Sequence, residues 1–276
     1  DDIRALGTCF GITNDGLCMT ARHVIDDVVN TSTEQEKERT LTSEEGYFGA
    51  LYVSDRIDPD TGHFVGGILP MNKIFVNGNL DIALIHLKLP VDTRNGEQLR
   101  FPALPLKSRM PMVGENVFGM GYHLMSWTSQ NDFRTQVAQT YSATKGVIEE
   151  VHFPKRDQFL LHFPCFRTSA RFDAGMSGGP VFIFEEMAEG TSLAVGGVVC
   201  SSLGADEEGK HTSYVSMIGP AFGIALEATG PNGLVSKQFL WDFVEGGAVV
   251  ADLTEFSCRR LPDQVAMNFG ANRTLV

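Results

Sequence analysis

The sequence is short of the signatures that mark metal, nucleotide and membrane proteins. Its 276 residues hold no His-Glu-x-x-His and no Cys-x-x-Cys spacing, so no metal is expected. No Gly-x-x-x-x-Gly-Lys loop is present to cradle phosphates, and no cofactor is expected. Basic residues are scarce, 22 against 34 acidic ones, for a net charge of -12. Neutralising phosphates takes clustered lysine and arginine, so neither nucleic acid nor an anionic membrane is an expected partner. No apolar run is long enough to span a bilayer. Sustained helical periodicity is missing until late in the chain, and no repeat is visible.

What is present is a chain of short apolar runs separated by turn residues. Hydrophobic content is 43%, with 29 glycines and 12 prolines, a composition that suits an all-β protein with an ample core. The most informative stretch is Gly175-Met176-Ser177-Gly178-Gly179-Pro180. Glycines on both sides uncover the Ser177 hydroxyl and admit backbone conformations closed to residues with a Cβ. The amides of Gly175 and Ser177 are thereby candidates for an oxyanion hole. A serine hydroxyl is a weak nucleophile without a base to take its proton, so a histidine and a carboxylate are required elsewhere.

The histidine is His23, just past two apolar runs joined by the turn Asn14-Asp15-Gly16, a β-hairpin pattern. The carboxylate is Asp81, opening the apolar run Ile82-Ala83-Leu84-Ile85-His86-Leu87. A carboxylate at the mouth of such a strand needs a partner, and an imidazole N–H serves. The rival reading of the serine motif is the elbow of an α/β-hydrolase, which demands a helix after the serine and a later histidine. Here a strand-like run, Val181-Phe182-Ile183-Phe184, follows, and the later His211 borders the polar run Asp206 to Lys210.

These segments together resemble the chymotrypsin/trypsin-like serine peptidase superfamily, nearest its bacterial and high-temperature-requirement branch. Thr20-Ala21-Arg22-His23, Asp81-Ile82-Ala83-Leu84 and Gly175-Met176-Ser177-Gly178-Gly179-Pro180 stand in the family's order of His, Asp, Ser. Gly196-Gly197-Val198-Val199-Cys200-Ser201 resembles the strand that walls its primary specificity pocket. The resemblance implies two six-stranded antiparallel β-barrels, over 1–105 and 106–218, with a C-terminal extension at 219–276. Strands are expected near 6–13, 16–21, 48–53 and 81–88 in the first barrel. The second is expected to use 116–121, 135–150, 158–168, 179–186, 193–201 and 212–218. The extension, too short for a PDZ domain, reads as a short helical tail packing on the second barrel, with docking to a partner or neighbouring domain as the other role. The polar run 30–47 reads as a loop or short helix rimming the cleft.

By the same resemblance Ser177 is the nucleophile, His23 the general base and Asp81 its orienting carboxylate, with Gly175 and Ser177 as oxyanion donors. Arg171 falls where relatives place the base of the primary pocket, implying acidic specificity if it points inward and a structural role if it points out. Cys200, Ser201, Ser202 and Thr212 would wall that pocket. Met176 stands where zymogen-type relatives carry an aspartate, so activation through a cut N-terminus is not expected. The cysteines are Cys9, Cys18, Cys165, Cys200 and Cys258, an odd set matching no bridge of the family. In a three-residue hairpin loop Cys18 would face Ile12 rather than Cys9, and free thiols favour the cytoplasm. Sequons at Asn30 and Asn272 leave secretion open. The expected function is a serine endopeptidase acting on a protein substrate. The alternatives are a catalytically silent binding module and the regulated effector domain of a larger protein.

Overall fold

A computed structural model of the chain describes residues 4–26, 42–43, 46–59, 62–91, 96, 98–131, 134–187, 190–203, 211–229, 235–270 and 274–275. Most of the polar run 30–47 and all of 206–210 lie outside the described residues. The first layer contains β1 (Phe10–Gly11), β2 (Leu17–Thr20), a one-turn helix α1 (Arg22–Asp26), and a small ladder of β3 (Thr42–Ser43) and β4 (Gly46–Tyr47). It continues with β5 (Gly49–Ile57), β6 (Phe64–Val76) and β7 (Ala83–Leu87). An antiparallel sheet runs β1-β2-β7-β6-β5, five strands among the described residues rather than six.

The second layer has β8 (Leu106–Lys107), β9 (Asn116–Asn131), β10 (Arg134–His152), β11 (Cys165–Thr168), β12 (Pro180–Met187), β13 (Gly190–Leu203) and β14 (Thr212–Met217). Six of these run β12-β9-β10-β11-β14-β13, and β13 pairs back onto β12. That closure leaves the ring without an edge. Val117, Phe166, Val181, Ile183, Val199 and Val215 fill this barrel from alternate positions. The chain is therefore all-β, as its composition and turn spacing imply.

Three details depart from the sequence reading. The segment expected as a strand from 158 is a loop until β11 begins at Cys165. The 13-residue β6 was not foreseen; Gly66-Gly67 and Pro70 punctuate it, and residues 64–68 lie exposed, so no buried face marks its first half. The C-terminal extension is more strand than helix. After a 3-10 turn at Gly219–Gly223 come β15 (Ala225–Thr229), β16 (Val235–Phe239) and only then α2 (Leu240–Glu245). Next are β17 (Ala251–Asp252), β18 (Ser257–Arg260), β19 (Val265–Asn268) and β20 (Thr274–Leu275).

That extension is welded to the core. β17 pairs in parallel with β8, and the fully buried Lys107 reaches Asp252 at 3.2 Å. Phe222, Trp241, Phe256 and Phe269 share one apolar cluster with Phe10, Ile12 and Leu84 of the first sheet and Val195 of the barrel. The extension thus packs where both sheets meet.

The hairpin at the front of the chain corrects another expectation. Both Ile12 and Thr13 donate their N–H to the Leu17 carbonyl, at 2.8 and 3.2 Å. This bulge inserts one residue on the first strand, so Cys18 pairs with Gly11 instead of Ile12. Cys9 consequently comes within hydrogen-bonding reach of Cys18, and that bond together with burial pushes the Cys18 thiol up. All five cysteines are free thiols.

One residue sews the two layers together. Buried Thr8 donates its N–H to the Ser177 carbonyl at 2.8 Å and its hydroxyl to the Gly175 carbonyl at 3.1 Å. The same hydroxyl accepts from the Tyr122 N–H at 3.0 Å, and the Thr8 carbonyl accepts from the Thr20 hydroxyl at 2.7 Å. Gly178 sits against this seam at φ +85, where an added Cβ would meet the Thr8 carbonyl oxygen at 2.1 Å. Thr8→Val keeps the shape but strands two polar partners. Urea denaturation should show a loss of about 1–3 kcal/mol; an unchanged midpoint would mean that water replaces the hydroxyl at no cost.

Candidate active site

β2 ends at Thr20, and α1 carries His23 out over the cleft. A five-residue helix has no stability of its own; Ile25, 1% exposed, pins it among Cys18, Ile74 and Ile85. Asp81 leaves a turn in which the Leu80 N–H bonds the Asn77 carbonyl at 3.0 Å, just before β7. It is 7% exposed. A buried carboxylate must be satisfied, and Asp81 is. The His23 backbone N–H reaches its Oδ1 at 3.0 Å, and His23 Nδ1 lies 3.0 Å from Oδ1 and 2.9 Å from Oδ2. This geometry calls for the tautomer with a proton on Nδ1, which leaves Nε2 as an acceptor. The His23 side chain is 45% exposed, so its outer edge faces the cleft.

Cys200, on β13, completes the cluster. Its thiol hydrogen-bonds to Asp81, and its carbonyl accepts from Ser177 Oγ across a long 3.5 Å. Burial, reinforced by the Asp81 charge, pushes the Cys200 thiol well up, which keeps it a proton donor to the carboxylate. The ligand atoms of His23, Asp81 and Cys200 lie within 4.8 Å of one another. A metal there would need a thiolate, and the buried carboxylate alongside opposes one.

Ser177 sits on a loop anchored at both flanks. The Gly178 N–H bonds the Val199 carbonyl at 2.8 Å, and the Val199 N–H returns to the Gly179 carbonyl at 2.9 Å. Gly175 has φ +96, a conformation that favours glycine. Among the described residues neither the Gly175 nor the Ser177 N–H has a protein acceptor. Met176 is fully buried in the barrel core, and its sulfur accepts the Asp173 N–H at 3.3 Å. It therefore anchors the loop from below, where it has no role in charge pairing.

The proposed pocket residues divide. Cys200 and Ser201 line a cavity of about 450 Å³ beside His23 and Asp81. Thr212 begins β14 opposite Leu203 and is absent from that lining. Of Ser202 only the backbone is described, paired with Ser213. The Arg171 side chain is 60% exposed and bonds Asp173 at 2.9 Å, the outward alternative. The sequence reading missed Thr8, although the residue falls within the strand expected near 6–13. It also missed the cavity wall of Leu80, Leu160, Leu161, His162, Phe163 and Tyr214. No local pattern marks these residues, which come from separate segments that only the fold assembles.

The profile of the trypsin-like peptidase domain matches residues 7–186, a span that includes Thr8, His23, Asp81 and Ser177. No curated protein matches the chain. Among solved structures, Rv3671c from M. tuberculosis is 17% identical, with 78% of this chain and 79% of that one covered and a TM-score of 0.41. Neuropsin, a serine protease of mouse brain, is 11% identical over 79% of this chain and 86% of its own, at TM-score 0.44. The HtrA-type protease AlgW, solved with a decapeptide, is 14% identical over 97% and 72%, at TM-score 0.41. With the profile spanning well over half its length, the chain belongs to the trypsin-like peptidase family and has a serine protease fold.

Proposed function

We propose that the protein is a serine endopeptidase working through an acyl-enzyme on Ser177. The observation that carries this reading is the buried Asp81, which holds both the backbone N–H and Nδ1 of His23 at 2.9–3.0 Å. His23 Nε2 is thereby the acceptor that takes the Ser177 proton as Oγ attacks the scissile carbonyl. The same nitrogen then protonates the leaving amine, and water attacks the acyl group by the reverse path. Asp81 holds the tautomer and stabilises the imidazolium. The uncommitted N–H groups of Gly175 and Ser177 suit the oxyanion, with each such donor contributing about 3–4 kcal/mol in related sites. The hydroxyl of Ser177 rests on the Cys200 carbonyl at 3.5 Å, a contact loose enough to be exchanged for His23 during reaction.

The partner in this reading is a polypeptide substrate. The compartment we propose is a reducing one such as the cytoplasm, on the strength of five free thiols. Among the described residues no helix is long and apolar enough to cross a membrane.

Labelling with a serine-reactive fluorophosphonate tests the nucleophile without knowledge of the substrate. The wild type should label and Ser177→Ala should not; an unlabelled wild type would favour a silent binding module. Ser177→Ala and His23→Ala should each lower turnover by on the order of 10⁶-fold, with the double variant little worse. Asp81→Asn should fold normally and lose roughly 10⁴-fold; near-normal turnover in that variant would sink the assignment of Asp81.

The thiols supply a separate check. Alkylation of the unfolded, unreduced protein should add five groups by mass spectrometry. In the native state at pH 8, Cys200 should react far more slowly than after unfolding, since burial and Asp81 raise its pKa. Rapid native modification of Cys200 would contradict the thiol–carboxylate contact.

A further inference from the structure

The loop between β10 and β11 is held in shape by hydrogen bonds gathered on Asp157. Asp157 Oδ1 accepts the N–H groups of Phe159, Leu160 and Leu161 at 2.8, 2.7 and 3.1 Å. The Arg156 and Asp157 N–H groups return to the Leu161 carbonyl at 3.0 and 3.2 Å. These backbone bonds hold the Asp157 carboxyl below its ordinary range, so the turn stays locked at neutral pH. What the turn presents is apolar: Phe159 is 87% exposed and Leu160 77%. Leu161 and Phe163, by contrast, are buried with Cys165, Cys200 and Tyr214. Ordering a turn to hold two large apolar side chains in water is unfavourable unless something covers them.

The cavity beside the candidate catalytic group supplies the context. Leu80, Leu160, Leu161 and Phe163 form its apolar wall, and His23 and Cys200 form the wall it shares with the reacting centre. Its volume of about 450 Å³ is in the range of sites that enclose an organic ligand. Among the described residues the arginines that line it are paired. Arg22 pairs with Asp26 at 3.2 Å; Arg156 pairs with Asp157 at 3.4 Å and stacks 4.8 Å over the Tyr214 ring. Among the described residues each of these arginines already has an acidic partner, and Arg171 is engaged with Asp173.

We propose that the Asp157-locked loop is a specificity element of this site. Leu160, with Leu80, Leu161 and Phe163, receives a bulky aliphatic or aromatic side chain of a polypeptide substrate bound across His23. The inference rests on the peptidase reading for its chemistry, but the cavity and its occupant are testable without turnover. Closing the exposed Leu160 against such a side chain removes apolar surface on both partners from water, and that gain separates bulky residues from alanine.

The test uses the full chain with Leu160→Asp and Leu160→Met, both at an exposed position, with Tm to verify folding. Cleavage of a peptide library, read by mass spectrometry, should show wild type and Leu160→Met selecting leucine, phenylalanine or methionine at one position near the cut. Leu160→Asp should lose that selection, with kcat/KM for such peptides falling about tenfold or more, chiefly through KM. The same variants in a Ser177→Ala background, incubated with a peptide array, should show the same difference in binding. Selection unchanged in Leu160→Asp, or an acidic preference abolished by Arg171→Ala, would overturn the proposal. Reaction with diisopropyl fluorophosphate reports separately on Ser177. If wild type neither labels nor cleaves, the peptidase reading fails. The array then decides the cavity alone: a Leu160-dependent apolar preference upholds it, and its absence overturns it.

Discussion

The site depends on a seam of hydrogen bonds centred on Thr8. Its N–H and hydroxyl hold the carbonyls of Ser177 and Gly175, and its own carbonyl is held by Thr20. The helix and turn that carry His23 and Asp81 hang from the first sheet and the Ser177 loop leads into the barrel, so their relative placement is no stronger than the contact between the two layers. A misplacement of about 1 Å costs a reaction of this kind on the order of 10²-fold. Thr8 couples the Ser177 loop by hydrogen bonds to Thr20 of β2, three residues before His23. Gly178 permits that approach because a Cβ there would collide with the Thr8 carbonyl.

Around the seam a single apolar cluster spans both layers. The cluster that contains Phe10, Met19 and Ile82 of the first sheet also contains Val195 and Val198 of the barrel, with Phe222, Trp241 and Phe256 of the C-terminal extension. The extension therefore contributes to the same core that underlies His23 and Asp81. Its strand β17 and the buried Lys107–Asp252 pair tie it to β8. A buried ion pair is weak as a source of stability but strict in geometry, and losing either partner leaves a stranded charge.

Electrostatics at the centre are organised by a single buried carboxylate. Asp81 orders His23 through two bonds from that residue and adds to burial, the larger cause, in keeping the Cys200 thiol protonated, while the Cys200 carbonyl receives the Ser177 hydroxyl. One residue of β13 thus touches both ends of the proposed relay.

The motifs around His23, Asp81 and Ser177 were legible in the sequence because their chemistry is local. Glycines must flank an exposed serine, a turn must precede β2, and an apolar run must follow a carboxylate at a strand mouth. The all-β class was legible for the same reason, since turn residues and short apolar runs are properties of neighbouring positions. Other features were decided by contacts far apart in the chain. The bulge at Ile12 and Thr13 moved Cys18 opposite Gly11, a one-residue shift that composition cannot resolve. The exposed half of β6 carries no period because neither face is buried. Arg171 turned to Asp173, two residues along, and away from the cavity. The cavity wall, from Leu80 to Tyr214, exists only once two sheets and a loop converge. Sequence specifies which groups can react; closure of the chain over more than a hundred residues decides which of them meet.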